Sequence, residues 1–297
     1  MTQILRHATE IFRRRGLKKA AVFAWQAVCA PTLAHEWFAY VQAGLPAAVP
    51  EDLRFQLMQR IFRPYLRRRL NARARAEILR HHYDALGARL TPDGLAAVLA
   101  QPGARLATLA GKSGQTYSVY FGLSTAKEGE ADIFFMDDRA GAPLATLTGV
   151  FAQDGFYIGG LRGIKPPLGK PEIVFATRDL NGLRPKYAVL HAACAVAQWF
   201  NAPRIIAPAL RNHITFHSFG GFGGVQSRPI LADYDGFWQE LGGERRADGD
   251  YTLPVVLPRR EAEEVKSKKR TEWLRRQAHL DAMTGQIVEA LNAASCK

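Results

Sequence analysis

The sequence predicts an α+β protein, with a basic helical region over residues 1–100 fused to a mixed, mainly antiparallel sheet with flanking helices over residues 101–297. Three observations carry this reading. Apolar residues recur at helical spacing through the first hundred residues. From Leu106 to Leu161, short runs rich in β-branched, aromatic and aliphatic residues alternate with turn clusters. Helical patterns then return, in an apolar run at Pro185–Phe200 and a highly charged one at Glu261–Leu291. The 297 residues are 47% apolar and 23% charged, which excludes global disorder and allows a sizeable core.

Taken in order, Ile4, Leu5, Ala8, Ile11 and Phe12 mark a basic amphipathic helix, a shape that can lie on a membrane or pack on the body. A second helix is expected from Ala20 to Val41, bent or broken at Pro31, and a third from Glu51 to Leu70, kinked at Pro64. Ala72 to Leu86 is a further helix. Thr91-Pro92 starts a short one, since Thr caps well and Pro suits the first helical position, and Gln101-Pro102-Gly103 ends it. Strands are expected at 106–110, 116–123, 133–136, 144–151 and 156–161 as an antiparallel meander, with another at Ile173–Ala176. A helix over Pro185–Phe200, a strand at Ile205–Ala207 and a hairpin turn at Asp248-Gly249-Asp250 follow.

The net charge of +13 is unevenly spread. Residues 1–80 hold 15 Lys/Arg against 5 Asp/Glu (+10), residues 81–258 hold 16 of each, and residues 259–297 hold 9 against 6 (+3). A basic helical region suits an anionic lipid surface, or is a solubilising face. No nucleic-acid partner is expected, because the basic residues form no recognisable reading module. Cys29, Cys194 and Cys296 have neither metal-ligand spacing nor an even count, so no metal and no disulfide framework is implied and a reducing, cytoplasmic setting fits. Peripheral contact with the inner membrane is a further expectation. Arg13-Arg14-Arg15-Gly16-Leu17-Lys18 loosely resembles a twin-arginine signal, but Gln26 and Pro31 interrupt the apolar run behind it, and no cleaved signal or spanning helix is expected.

The segment Arg178-Asp179-Leu180-Asn181-Gly182-Leu183-Arg184-Pro185-Lys186 reads as a strand-to-helix loop. Cations at a helix start oppose the macrodipole unless an anion sits among them. Arg178, Gly182, Arg184 and Lys186 are therefore expected to bind phosphate or carboxylate; the plain alternative is that the cations face solvent or pair with Asp179. After the next strand, His213 is a candidate general base, or a structural histidine. Asn212, His217, Phe219 and Phe222 are candidates for contacting substrate, the last two within a Gly-rich aromatic loop. The His213/His217 spacing lacks the acid of a metalloprotease helix, so no metal is expected.

The 178–186 segment distantly resembles the pyrophosphate loop of the GNAT acyltransferase fold, although Arg178 and Gly182 are four apart rather than three and no second small residue follows in place. That resemblance implies a GNAT-like sheet and acyl-coenzyme A or acyl-carrier protein as donor. A splayed pair of parallel strands beside the Pro185 helix start would favour it. More broadly, Asn181-Gly182-Leu183-Arg184-Pro185-Lys186, Asn212-His213, Tyr234-Asp235-Gly236-Phe237-Trp238 with Glu240-Leu241-Gly242-Gly243, and Ser267-Lys268-Lys269-Arg270 resemble the VirK/YbjX family, in order over roughly residues 50–290. This resemblance implies a Gram-negative envelope context, with roles in virulence, resistance to cationic antimicrobial peptides and envelope lipid remodelling, but supplies no catalytic residue. Two functions are expected from different classes: an acyltransferase in envelope lipid or acyl-chain metabolism, and a non-catalytic membrane-associated accessory protein that binds anionic lipid and a protein partner.

Overall fold

The computed structural model of the protein describes residues 2–166, 168–215 and 233–296. The N-terminal helices are α1 (Thr2–Arg15), α2 (Leu17–Cys29), α3 (Pro31–Ala39), α4 (Glu51–Arg60), α5 (Ala72–Arg89) and α6 (Pro92–Leu99). The expected helix at 20–41 starts earlier and is broken: Gly16, at φ 86°, separates α1 from α2, and Pro31 opens α3 as a separate helix. The expected helix over 51–70 is shorter than the pattern suggested. It stops at Arg60, four residues before Pro64, whose ring would meet that carbonyl, and Leu66 and Arg69 then adopt left-handed φ values. Side-chain caps fix two starts: Asn71 accepts from Ala74 N–H (2.8 Å) and Thr91 from Gly94 N–H (3.0 Å).

The meander forms as expected, as β1 (Ala104–Ala110), β2 (Thr116–Leu123), β3 (Ala131–Asp137), β4 (Ala142–Ala152) and β5 (Gly155–Gly163), antiparallel throughout. Ile173–Ala176 is helical rather than a strand, lying within α7 (Lys170–Asp179). Four apolar residues carry no period of their own, and the local chemistry decides: Pro171 suits a first turn and the Glu172 carboxylate accepts Gly169 N–H (2.7 Å). Then come α8 (Pro185–Trp199), β6 (Ile205–Ala207), α9 (Tyr234–Glu240), β7 (Glu244–Arg245), β8 (Tyr251–Leu253) and α10 (Ser267–Ala293), with 248–250 turning the β7–β8 hairpin as expected.

The sheet order is β1-β2-β3-β4-β5-β6-β8-β7, and β5 and β6 are its one parallel pair among the described residues. Helix α5 packs on β4, α8 on β3, β4 and β5, and α10 on β1 and α8. One hydrophobic core runs from Ile11 in α1 to Leu291 in α10. A buried junction joins the helical region to the sheet. Arg60 donates to Glu130 Oε1 (2.8 Å) and to the Ala126 and Gly129 carbonyls, while the Tyr83 hydroxyl donates to Glu130 Oε2 (2.7 Å).

His82 lies in this core, 1% exposed, stacked on Phe151, with Nδ1 accepting Phe151 N–H (3.2 Å). Burial, aided by His81, pushes its pKa down to about 3. The unfolded chain takes up this proton near pH 6.5. Stability tied to neutral His82 is therefore intact above pH 6.5 and declines as pH falls, by about 3 kcal/mol at pH 4. Urea midpoints should fall between pH 7 and 4.5, less steeply for His82→Gln; identical slopes would exclude His82 as the source.

Candidate functional site

Strands β5 and β6 pair at only two positions, Phe156↔Ile205 and Tyr157↔Ile206. Beyond them β5 continues to Gly163 while β6 ends at Ala207, so the two parallel strands part toward their C-terminal ends. The pairing of β4 with β5 also shifts register here, Thr148 facing Gly160 and Gly149 facing Ile158, which leaves Gly159 as a bulge. Gly159 is required: a Cβ there would lie 1.6 Å from the Glu128 carbonyl oxygen, because the β2–β3 loop crosses directly over the bulge. At Gly160 a Cβ would lie 3.3 Å from Glu128 Cγ and 3.6 Å from His213 Nε2.

The segment that delivers His213 to this place is tied down along its length. Asp250 accepts from Ala209 N–H (3.1 Å) and from Asn212 Nδ2 (2.8 Å), and Asp235 accepts from Leu210 N–H (3.2 Å). Trp238 Nε1 donates to the Pro208 carbonyl (3.0 Å), and Arg67 pairs with Asp250 (2.9 Å). Asn212, expected to contact substrate, spends its amide on Asp250 and the Asp248 carbonyl, so it positions the segment.

His213 is 4% exposed and, among the described residues, its Nε2 has no hydrogen-bond partner. Thr215 N–H donates to Nδ1 (3.2 Å), with the Thr215 hydroxyl at 2.7 Å. Nδ1 is therefore an acceptor, and the neutral ring carries its proton on Nε2. With this bonding Nε2 is the donor, whereas the expected general base would need it to accept. Burial holds the His213 pKa below its usual value; Glu128 opposes this, and Lys127 and Arg162 add to it.

Arg162, two residues beyond Gly160 and so on the same face of β5 about 7 Å along the strand, carries a second buried donor, Nε, without a partner among the described residues. Its Nη2 donates to the Thr148 hydroxyl (2.7 Å), which in turn donates to Asp132, and Asp132 lies 3.6 Å from Arg162. Burial pushes the Asp132 carboxyl above the ordinary carboxylate range, against the lowering effect of Thr148 and Arg162. Tyr234 fills part of the parting: its hydroxyl donates to the Leu161 carbonyl (3.1 Å) and accepts Leu161 N–H (3.2 Å), satisfying β5 where β6 does not.

The expected anion segment joins two helices rather than a strand and a helix. Arg178 lies in the last turn of α7, where its carbonyl accepts from Lys112 Nζ (3.0 Å), and its side chain is exposed. Gly182, at φ 82°, faces Arg276 and Glu272 of α10, and Asn181 Nδ2 lies 3.1 Å from His279 Nε2. Asp179 turns to Ser113 and the Tyr117 hydroxyl, so it neutralises neither Arg184 nor Lys186. Arg184 caps α8, exposed, and Lys186 reaches β5, with its Cε 3.5 Å from where a Gly163 Cβ would stand. Partial burial lowers the Lys186 pKa. Strand alternation puts Gly163 on the face opposite Gly160 and Arg162, so Lys186 and His213 flank the parting from its two sides. His217, Phe219 and Phe222 lie outside the described residues.

Sequence reasoning found His213 and Lys186 but missed Arg162, Asp132, Thr148 and Tyr234. A signal existed for Arg162: a cation inside Gly159-Gly160-Leu161-Arg162-Gly163, where paired glycines mark a bulge or a close approach. Among the described residues no group of His, Cys, Asp and Glu is arranged to hold a metal ion.

A family model described as "Protein of unknown function (DUF535)" matches residues 13–289. The chain is 32% identical over 288 residues to the uncharacterized protein YbjX of Escherichia coli, covering 94% of this chain and 84% of the relative. It is 31% identical over 113 residues to an uncharacterized protein of Haemophilus influenzae, covering 38% of this chain and 36% of that one. No solved structure matches.

Proposed function

The chain belongs to the VirK/YbjX family, described as DUF535, and from the geometry of the parted strands we propose that it is an acyltransferase that takes its acyl group from a coenzyme A or carrier-protein thioester. The observation that carries the reading is the separation of parallel β5 and β6 after two residue pairs, with a bulge at Gly159 and the start of α8 beside the opening. By analogy of fold, this is how GNAT-like enzymes seat an acyl thioester. The phosphate end would lie at Arg184, Lys186 and the Lys186 N–H, because Pro185 has no N–H and those of Tyr187 and Ala188 donate to the Arg184 carbonyl. The thioester carbonyl would reach the other face, where His213 Nε2–H and Arg162 Nε–H are unpartnered among the described residues. Such donors stabilise the negative charge that grows on a carbonyl oxygen as an acceptor attacks and the thiol leaves. Arg178 is set aside from the phosphate contacts by its place on α7. The envelope setting and a lipid-related acceptor are part of the same proposal.

Calorimetry with acyl-coenzyme A tests it. Arg184→Ala with Lys186→Ala should weaken binding by about 1.5–3 kcal/mol per lost charge-assisted contact. Absence of binding to acyl-coenzyme A and to acyl-carrier protein alike would remove the reading.

A further inference from the structure

Helix α2 is apolar on both sides. Ala20, Phe23 and Ala27 enter the core, while Val22, Trp25 and Val28 point outward, Trp25 at 72% exposure. Leu17, at 70%, and Leu5 and Phe12 of α1 extend the outward apolar surface. Exposed large apolar side chains clustered on one helix mark a surface that something covers. Among the described residues no helix is long and apolar enough to cross a membrane, so this surface belongs to no spanning segment.

Beside α2 opens a cavity of about 460 Å³ lined by Lys18, Lys19, Val22, Phe23, Phe62 and Arg63, with Gln59 also in its wall. Its charged lining is all cationic, with Gln26 and Gln59 as its neutral polar groups. Gln59 is 2% exposed; its Oε1 accepts from Arg63, and its Nε2 has no partner among the described residues. No carboxylate pairs with Arg15, Lys18, Lys19 or Arg63 among the described residues. Arg63 is held below its usual pKa first by burial and then by the like charges of Arg15 and Arg60. A site with cations, an orphan amide donor and an apolar floor fits an anion attached to a hydrocarbon. A second copy of the chain is a poor cover, because docking these faces would bring Lys18, Lys19 and Arg15 against their own equivalents.

We propose that this face docks on an anionic phospholipid bilayer, with one lipid phosphate held by Lys18, Lys19, Arg63 and Gln59 Nε2, its chain on Phe23 and Phe62, and Trp25 inserted at the interface. Interfacial helices combine these features: basic residues near the head groups and Trp at the boundary. The site is remote in sequence from the strand parting and stands independently of the proposed acyl transfer.

Sedimentation of the full chain with vesicles tests it. Phosphatidylglycerol-containing vesicles should bind and pure phosphatidylcholine vesicles should not, with binding declining as salt rises through the screening range. Lys18→Ala with Lys19→Ala should weaken binding about 10-fold or more, consistent with lost attraction to a negative surface. Trp25→Ser should weaken it comparably, with unchanged melting, since all three side chains are exposed. Inorganic phosphate should compete better than chloride at equal ionic strength, since it can enter the head-group pocket, but should not abolish vesicle binding. Equal binding to neutral vesicles, an unaffected Trp25→Ser protein, complete displacement from vesicles by free phosphate at fixed ionic strength, or self-association in place of vesicle binding would each overturn the proposal.

Discussion

Glu130→Gln is expected to cost the fold about 3–5 kcal/mol, because it leaves Arg60 as a buried cation facing a neutral amide. The Glu130 side chain is 1% exposed and accepts from Arg60 at 2.8 Å and from the Tyr83 hydroxyl at 2.7 Å. A glutamine must turn its amide NH₂ toward one of these donors. Burial would by itself lower the Arg60 pKa, yet the Glu130 charge holds it above the usual value, so the two groups are charged together. Arg60 also serves the Ala126 and Gly129 carbonyls. The double change Arg60→Leu/Glu130→Leu should therefore recover the part due to the lone charge but leave these acceptors short, about 1–3 kcal/mol each. Urea unfolding of the three proteins separates the contributions. A Glu130→Gln loss below 1 kcal/mol would mean that water reaches the junction.

On the proposed acyltransferase reading, His213→Ala is expected to lower kcat about 10²–10³-fold, the usual result of removing one donor to a developing oxyanion. His213→Gln, which can present an amide N–H, should keep more activity. A base at this position predicts equal loss in both. The pH profile carries the same distinction below the His213 pKa, which burial holds under its usual value: a base loses rate as the ring takes up a proton, whereas an imidazolium still presents Nε2–H and kcat should show no loss from it. The matching stability contribution is present above pH 6.5 and declines as the pH falls below it. Melting of each variant is the control: a His213→Ala protein whose activity falls only with its folded fraction has lost a structural residue.

Much of the fold was legible because its signals are local. The meander declares itself through alternation and turn clusters, and Thr91-Pro92 and Pro185 mark helix starts that the structure keeps. Ile173–Ala176 misled because a four-residue apolar run fits either period, while the decisive start, Gly169-Lys170-Pro171-Glu172, lies just before it. The site was half legible. His213 announces itself as a polar residue soon after a strand, but its tautomer depends on Thr215 N–H, and Asn212 turned out to brace the segment through Asp250. Arg162, Asp132 and Thr148 meet only because β3, β4 and β5 pair in one register. The Gln59–Arg63 cavity forms where α4 and its exit pack against α2. No pattern within either stretch specifies such a meeting.

The seam that α10 closes also fixes when the protein can finish folding. The Thr91 hydroxyl donates to the Ala294 carbonyl across 203 residues of chain, and Cys296 N–H to Arg89. Gln286 bonds both backbone groups of Thr108, and Leu280, Met283, Ile287 and Leu291 complete the core. A nascent chain has none of these contacts until residues 267–296 leave the ribosome. Until then the sides of β1 and α8 that α10 covers stay open, and contacts this distant in sequence form slowly. A polypeptide that has emerged only as far as α8 is thus exposed to aggregation. Truncations within α10 should accordingly appear in cells as loss of protein before they appear as loss of activity.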